Sequence, residues 1–281
     1  MQKITEIFYL PLFLGLNATG IWLVGDGYSY WWLAGLFGFC LAISFKAEQL
    51  VPYNKSFNQN MNDKNRDIAH AVVNEGGNIV STFSAPALVG LLGSANLWPS
   101  DYPFWLQCVG AILFADLGIT LAHYASHKWS LLWRLHAVHH SIKRMYAFNG
   151  LMKHPIHQIV EGAVGVLPLI LLGMPLDVGV ILIFTIALQL LLQHSNVAYW
   201  VGPLRWFFAV NQIHRFHHLK WAKIGDVNFG LFTTLGDHLL GTYYYEPTKT
   251  FESADLGIGT DPDYPQGYLR QLVAPFVRKP A

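Results

Sequence analysis

The sequence predicts an all-α protein: a multi-pass bundle of four to six transmembrane helices with a cytoplasmic, histidine-rich metal-binding cap. Only 12% of the 281 residues are charged and 53% are hydrophobic, whereas ordinary soluble domains are roughly 25% charged. Long uncharged stretches recur along the chain, and all but one of the 13 histidines follow residue 120. This composition excludes a disordered, fibrous or typical cytosolic protein, because too few charges remain to cover a water-facing surface.

Six segments approach the roughly 20 residues that a helix needs to cross the hydrocarbon core. They are residues 7–25, 27–45, 72–93, 104–122, 159–172 and 178–192. The first is not expected to be a cleaved signal peptide, because it lacks a small-residue cleavage pattern. The third is weaker, and its Asn74, Glu75 and Asn78 favour contact with protein over lipid. A tight Gly-Met-Pro turn joins the last two, which either cross or form a hairpin that does not fully cross.

The distribution of lysine and arginine predicts the orientation. The segments around Asp26, Asp101 and Asp177 contain neither residue, and short cytoplasmic loops are enriched in both. Six crossings with both termini inside satisfy this rule, for an integral protein of a bacterial inner membrane or the endoplasmic reticulum. We expect N-terminal transmembrane helices over residues 1–103, a catalytic domain over 104–246 and a soluble cytoplasmic tail over 247–281. A net charge of +1 gives no electrostatic reason to expect nucleic acid as a partner.

Eight histidines repeat at helical spacings. They are His123 and His127; His136, His139 and His140; and His214, His217 and His218. Residues three and four apart share one face of a helix, so each set presents a row of imidazoles. Packing alone does not explain repeated adjacent pairs, because every buried ring nitrogen must be satisfied. Imidazole suits Zn, Cu, Fe and Ni, and eight ligands exceed the three or four of one zinc. Two metals are therefore predicted.

The remaining histidines are more ambiguous. A lone His70 is expected to be a hydrogen-bonded core or surface residue, whereas ligand and structural roles are about equally plausible for His154, His157, His194 and His238. The sequence contains no H-E-x-x-H zinc motif, serine-nucleophile elbow, phosphate-binding loop or dinucleotide fingerprint. The pattern favours redox iron at a membrane surface.

The surroundings of these histidines resemble the fatty acid hydroxylase superfamily, also called the sterol desaturase family, of membrane non-haem di-iron oxygenases. The resemblance covers residues 116–276. Its motifs are Asp116 seven residues before His123, LLWRLHAVHHS at 131–141, LLQHSNV at 191–197, and Asp226, Asn228, Phe229, Gly230, Asp237 and Gly241-Thr242-Tyr243 after the last box. One departure is that the family's R-x-H-P-x-E element reads Lys153, His154, Pro155 and His157.

The resemblance implies two iron ions that activate O2 to hydroxylate or desaturate an unactivated C–H bond of a lipid, such as a fatty acyl chain or sterol. Zinc can substitute for iron in recombinant protein. The implied metal ligands are His123, His127, His136, His139, His140, His194, His214, His217 and His218, with His154 as a further candidate.

Three carboxylates, Asp116, Asp226 and Asp237, are expected to serve the catalytic site by orienting ring N–H groups of the ligands. A carboxylate within a span is costly unless paired, which favours such a partner for Asp116. For Asp226 and Asp237, helix capping or loop structure is an equal alternative. The chain shows no flavin, haem or ferredoxin motif, so a separate haem or iron–sulfur protein is expected to supply electrons. The other expected partners are a membrane lipid and O2.

Two other classes remain open at this stage. A histidine-rich metal-binding or transport protein without oxygenase activity would place ligands at mid-membrane along a pathway. A haem cytochrome would need axial histidines facing each other across spans, not adjacent pairs.

Overall fold

In the part of the chain that the structure describes, four helices are long and apolar enough to cross a membrane. The computed structural model describes residues 1–221 and 223–278, so the last three residues of the expected tail lie outside it. Within these ranges the chain is helical, without a β-strand. The helices are α1 (Gln2–Gly25), α2 (Trp31–Leu50), α3 (Lys64–Leu92), α4 (Phe104–Lys128), α5 (Ser130–His140), α6 (Pro155–Gly165), α7 (Leu167–Leu172), α8 (Leu176–His194), α9 (Asn211–His217), α10 (Leu235–Leu240) and α11 (Tyr268–Val277). Short 3-10 turns lie between several of them.

The candidate spans are α1, α2, α4 and α8. Helix α8 is the most buried of the four and packs against each of the other three and against α3. Its apolar side chains on all sides fit this central position, because a helix surrounded by other helices has no polar face. The four spans confirm the predicted membrane bundle at the lower end of the expected range.

Helix α3 carries the polar face that the sequence indicated. Asn74 donates from Nδ2 to the carbonyl oxygens of Leu151 and Lys153. Asn78 donates to Glu75, and its own Oδ1 accepts from Gln158. These bonds satisfy amides that would be costly to expose to lipid, so α3 meets the bundle through a polar seam.

Residues 159–172 do not form a single span. The helix breaks at Val166, leaving the 11-residue α6 and the six-residue α7. Pro168 lies in the first turn of α7, where its missing N–H is tolerated, but it prevents continuation of the preceding helix. Of the two segments that could form a hairpin without fully crossing, residues 159–172 are too short in each part to cross, whereas α8 is long enough.

Helices α4 and α6 approach each other at their glycines. A Cβ added at Gly118 would lie 2.6 Å from the Gly165 Cα, and one added at Gly165 would lie 2.9 Å from the Ala115 oxygen. Only glycine allows backbones to pack so closely. This contact fixes α6 against the half of α4 that leads to His123 and His127.

The contact predicts different effects for two glycines of α4. Gly118→Ala should lower the free energy of unfolding by about 1–3 kcal/mol, because an added methyl overpacks the contact with α6. Gly110→Ala is the matched control, since nothing lies within 4 Å of its added Cβ, and its effect should stay within about 1 kcal/mol. Denaturant unfolding in detergent, followed by tryptophan fluorescence, measures both. Equal stabilities would contradict the close packing.

Candidate metal centre

The ends of four helices bring nine histidines together. The last turns of α4 supply two, α5 supplies three, His194 ends α8, and α9 with the residue after it supplies three. The carboxyl-terminal halves of these helices converge because α4 packs on α5 and on α8, and α8 packs on α9. The sequence motifs on separate helices are thereby joined into one buried site.

The nine rings form two groups, in each of which the potential ligand atoms lie within 4.8 Å of one another. The five-histidine group is His123, His127, His136, His140 and His217, and the four-histidine group is His139, His194, His214 and His218. Both H-x2-HH boxes divide between the groups. On α5, for example, His136 and His140 belong to the five-histidine group and His139 belongs to the four-histidine group. Each box therefore contributes potential ligands to both groups.

The Nε2 atoms face one another at very short range. In the five-histidine group, the Nε2 of His123 lies 3.0 Å from that of His136 and 2.9 Å from that of His217. The Nε2 of His140 lies 2.9 Å from that of His217. In the four-histidine group, the Nε2 of His214 lies 3.2 Å from those of His194 and His218.

Hydrogen bonds at the opposite ring nitrogen fix the tautomers of three rings. The Nδ1–H groups donate to backbone carbonyls, over 2.9 Å from His123 to Phe229, 3.0 Å from His217 to Val227 and 2.8 Å from His139 to Met152. In a neutral imidazole the other nitrogen then carries only a lone pair. The Nε2 atoms of these rings are therefore acceptors.

Side-chain oxygens fix two further rings. His127 donates from Nδ1 to Asp226 over 2.9 Å, and His194 donates from Nδ1 to Asn149 over 3.1 Å. The Asn149 amide nitrogen already donates to the Arg144 carbonyl, so its oxygen faces the ring. The hydrogen bond from His127 also holds the pKa of Asp226 below its usual range.

Burial keeps the rings outside the spans neutral. It lowers the pKa of His139 to about 3 and pulls the pKa of His140 and of His217 well below the usual value. Neutral rings with inward lone pairs about 3 Å apart repel one another unless a cation lies among them. The donor set therefore fits a metal that prefers imidazole nitrogen.

Asp116 does not bond a histidine ring. Its carboxylate accepts from the backbone N–H groups of Leu231, Phe232 and Thr233 and from the Thr233 hydroxyl. It therefore secures the loop that begins at Phe229, whose carbonyl orients His123. The sequence correctly predicted that this carboxylate within a span is paired. Its partners are three backbone N–H groups and a hydroxyl, whereas a histidine ring had been expected.

Asp237 secures the same loop from the other side. It accepts from the backbone N–H groups of Phe229 and Gly230 and from the Thr242 hydroxyl. Of the three expected carboxylates, only Asp226 contacts a ring directly, and Asp116 and Asp237 reach His123 through the loop.

The other histidines lie outside the two groups. His154 caps α6, because its Nδ1 accepts from the Ile156 N–H, and its Nε2 donates to the Leu272 carbonyl. His70 is a buried core residue, as expected. His238 is exposed and stacks on Trp206. The structure thus brings His194 to the site, as the resemblance implied, but not His154, the further candidate, because both of its ring nitrogens are engaged at the start of α6.

Sequence reasoning did not assign roles to two neighbours of the site. His157 lies with its ring 4.5 Å from that of His136 and is hydrogen-bonded to the Ser126 hydroxyl. The departure from the family's R-x-H-P-x-E element was its only signal. The second neighbour is Asn149, which orients His194. The backbone carbonyls that orient other rings cannot be recognised from the sequence, because every residue has one.

A cavity of about 250 Å³ reaches the five-histidine group from the surface. Its lining includes His127, His140 and Trp133, together with Lys128 and Lys220. The Trp133 ring lies 5.1 Å from that of His127 and 5.3 Å from that of His140. The cavity therefore connects the buried histidines to the outside through an aromatic side chain.

The apolar helices and buried histidines define a membrane protein with a site able to bind metal. A family model described as fatty acid hydroxylase matches residues 108–242. The ornithine lipid hydroxylase OlsE of Rhizobium tropici is 34% identical over 251 residues, which cover 85% of this chain and 74% of that protein. The chain belongs to the fatty acid hydroxylase family, which confirms the resemblance seen in the sequence.

Other relatives match shorter parts. The alkylglycerol monooxygenase of Danio rerio is 28% identical over 58% of this chain and 35% of its own length. The sphingolipid C4-hydroxylase sur2 of Schizosaccharomyces pombe is 28% identical over 45% of this chain and 44% of its own length. No solved structure matches the chain. The relatives named here are all lipid hydroxylases or monooxygenases.

The contact between Asp226 and His127 predicts an effect on metal affinity. Asp226→Ala should weaken it about 10- to 100-fold, because the ring loses the acceptor that orients it. Lys128→Ala removes the other partner of Asp226, 3.3 Å away, without touching the ring, and should leave affinity unchanged. Titration against a competing chelator measures both. Equal affinities for Asp226→Ala and the unaltered protein would exclude this role.

Proposed function

We propose that the chain is a di-iron membrane oxygenase that uses O2 to hydroxylate an unactivated C–H bond of a lipid. The observation that carries the proposal is the pair of histidine groups with converging Nε2 atoms, five of which are held unprotonated by hydrogen bonds at Nδ1. The balanced reaction is R–H + O2 + 2 e⁻ + 2 H⁺ → R–OH + H2O. Hydroxylation is favoured over desaturation because the relatives named above are hydroxylases and monooxygenases.

In this proposal each histidine group holds one iron. The five-histidine group would hold one and the four-histidine group the other, while His154 is left to its helix cap. Bound iron supplies the activation of O2 and the removal of hydrogen from the C–H bond. Asp226, Asn149 and the three backbone carbonyls keep the Nε2 lone pairs directed inward, and Asp116 and Asp237 hold the loop that carries one of those carbonyls.

The substrate is proposed to be a membrane lipid that reaches the site from the bilayer. The histidines lie at the ends of apolar helices, so a lipid group can approach them without crossing bulk water. The distribution of lysine and arginine supports a site on the cytoplasmic side. Ornithine lipid is the first substrate to test, because the relative OlsE, which matches 85% of this chain, is an ornithine lipid hydroxylase.

The electrons are proposed to come from a separate haem or iron–sulfur protein. They would enter at the cavity that Trp133 and the lysines line, where the five-histidine group comes within one aromatic side chain of the surface. Lys128 and Lys220 favour a carrier with an acidic contact surface.

Metal content and activity test the ligand assignment together. Protein purified without oxygen should contain about two irons per chain and should convert ornithine lipid to a product heavier by one oxygen atom, read by mass spectrometry. His139→Ala and His217→Ala each remove one ligand from a different group. Each should lower the iron content and reduce the rate at least about 100-fold. Loss of a metal ligand should cost more than loss of a residue that only orients a ligand, which typically costs about 10- to 100-fold.

The matched control is His238→Ala, which removes an exposed histidine outside both groups. It should retain iron and activity. Full product formation by either ligand variant would overturn the assignment. Iron binding without lipid oxidation, in reduced protein supplied with O2 and with ornithine, acyl and sterol lipids, would instead support a metal-binding or transport protein.

The cavity predicts a specific route for reduction. Trp133→Phe should slow reduction of the irons by the carrier, because the smaller ring leaves a wider gap between the surface and the rings of His127 and His140. Trp221→Phe, at a 50% exposed residue of the same cavity, should leave the rate unchanged. Stopped-flow measurement of iron reduction distinguishes them, and equal rates would place electron entry elsewhere.

A further inference from the structure

Helix α11 presents two chemically distinct faces. Gln271, Ala274 and Pro275 are buried. The opposite face exposes Leu269 (73%), Val273 (52%), Phe276 (61%) and Val277 (70%). Spacings of three, four and seven residues place exposed apolar side chains on one side of a helix. A soluble tail, as expected from the sequence, would leave this face in water.

Hydrogen bonds hold α11 in this rotation. Gln271 donates from Nε2 to the Ser141 hydroxyl over 3.0 Å and to the Pro265 carbonyl over 2.7 Å. The Leu272 carbonyl accepts from His154 over 3.2 Å. Turning the apolar face inward would break these buried bonds, so the exposed face is a fixed property of the fold.

Helix α11 approaches two helices that also expose apolar side chains. Tyr268 packs its ring 4.7 Å from His70 of α3, and α3 exposes Ile68 and Val72 elsewhere on its surface. At its other end, α11 approaches the residue that precedes α6.

That second junction lies at Phe276. Its ring centroid lies 6.0 Å from that of His154, beside the exposed Ile156 and Ile159 of α6. Exposed apolar side chains are therefore found on α11 and on the two helices that it approaches, α3 and α6.

Length and charge identify the position relative to the bilayer. Ten residues give a helix of roughly 15 Å, half of what a span needs. The helix contains no acidic residue, and the exposed Arg270 lies at the edge of the apolar face. Short helices with an apolar face and flanking basic residues lie in the headgroup region.

We propose that α11 is an interfacial membrane helix, with Leu269, Val273, Phe276 and Val277 inserted among the lipid chains beside α3 and α6. The partner is the lipid surface of the membrane that holds the spans. This proposal is independent of the proposed oxygenase activity.

The test places a fluorophore on this face of the full-length protein. In a Cys40→Ala, Cys108→Ala background, the variants Val273→Cys and Phe276→Cys are labelled with an environment-sensitive dye. Ala254→Cys, an exposed position in the preceding segment, is the matched control. The protein is reconstituted into vesicles of phosphatidylcholine and phosphatidylglycerol, and quenching by aqueous iodide is compared with quenching by acyl-brominated lipids.

An interfacial α11 gives blue-shifted emission, quenching by bromolipid, and iodide quenching roughly threefold weaker at both helix positions than at the control. Iodide quenching equal to that of Ala254→Cys would show a water-exposed helix and overturn the proposal. Protection from both quenchers would show that protein covers the face, and this would overturn it as well.

Discussion

The structure depends on the meeting of nine buried imidazoles, in five of which the inner nitrogen carries a lone pair and no proton. Nε2 atoms lie 2.9 to 3.2 Å apart, and five Nδ1–H groups are committed to oxygens outside the groups. Such an arrangement is unfavourable without a cation, because unshared lone pairs face one another in a region sheltered from water. The surrounding fold supplies those oxygens, and in this way the scaffold and the metal site specify each other.

The outer oxygens also explain why residues far from any metal are fixed so firmly. The segment from Val227 to Thr233 presents two carbonyls to histidines, and two carboxylates with a combined set of five backbone N–H bonds hold it in place. Asp116 and Asp237 therefore matter as supports for a loop. Their replacement would displace the carbonyls that orient His123 and His217 while leaving every histidine in place. The histidine motifs would then be intact in sequence, but their rings would no longer be held in the orientation that the site needs.

Much of this arrangement follows from the sequence because its signals are local. Uncharged runs predict α1, α2, α4 and α8, and the spacing of His136, His139 and His140 predicts a ligand-bearing face. The division of that face between two groups depends on how α5 meets α9, which no local spacing records. Likewise, His154 and His194 look alike in sequence, but His154 begins a helix and is consumed by its cap, whereas His194 ends one and faces the site. For the region around Val166 the sequence offered a hairpin that does not fully cross as an alternative, but it did not predict a break within residues 159–172.

The position of Asp116 has a consequence for biosynthesis. It lies in the middle of α4, and the amides that satisfy it are 115 to 117 residues further along the chain. A charged carboxylate at the centre of a lone helix costs about 3 kcal/mol for insertion. Until the segment containing Leu231 emerges during synthesis, α4 therefore carries this carboxylate without its native partners. Chains that stop before that point would contain the complete helix and lack the amides that stabilise its centre.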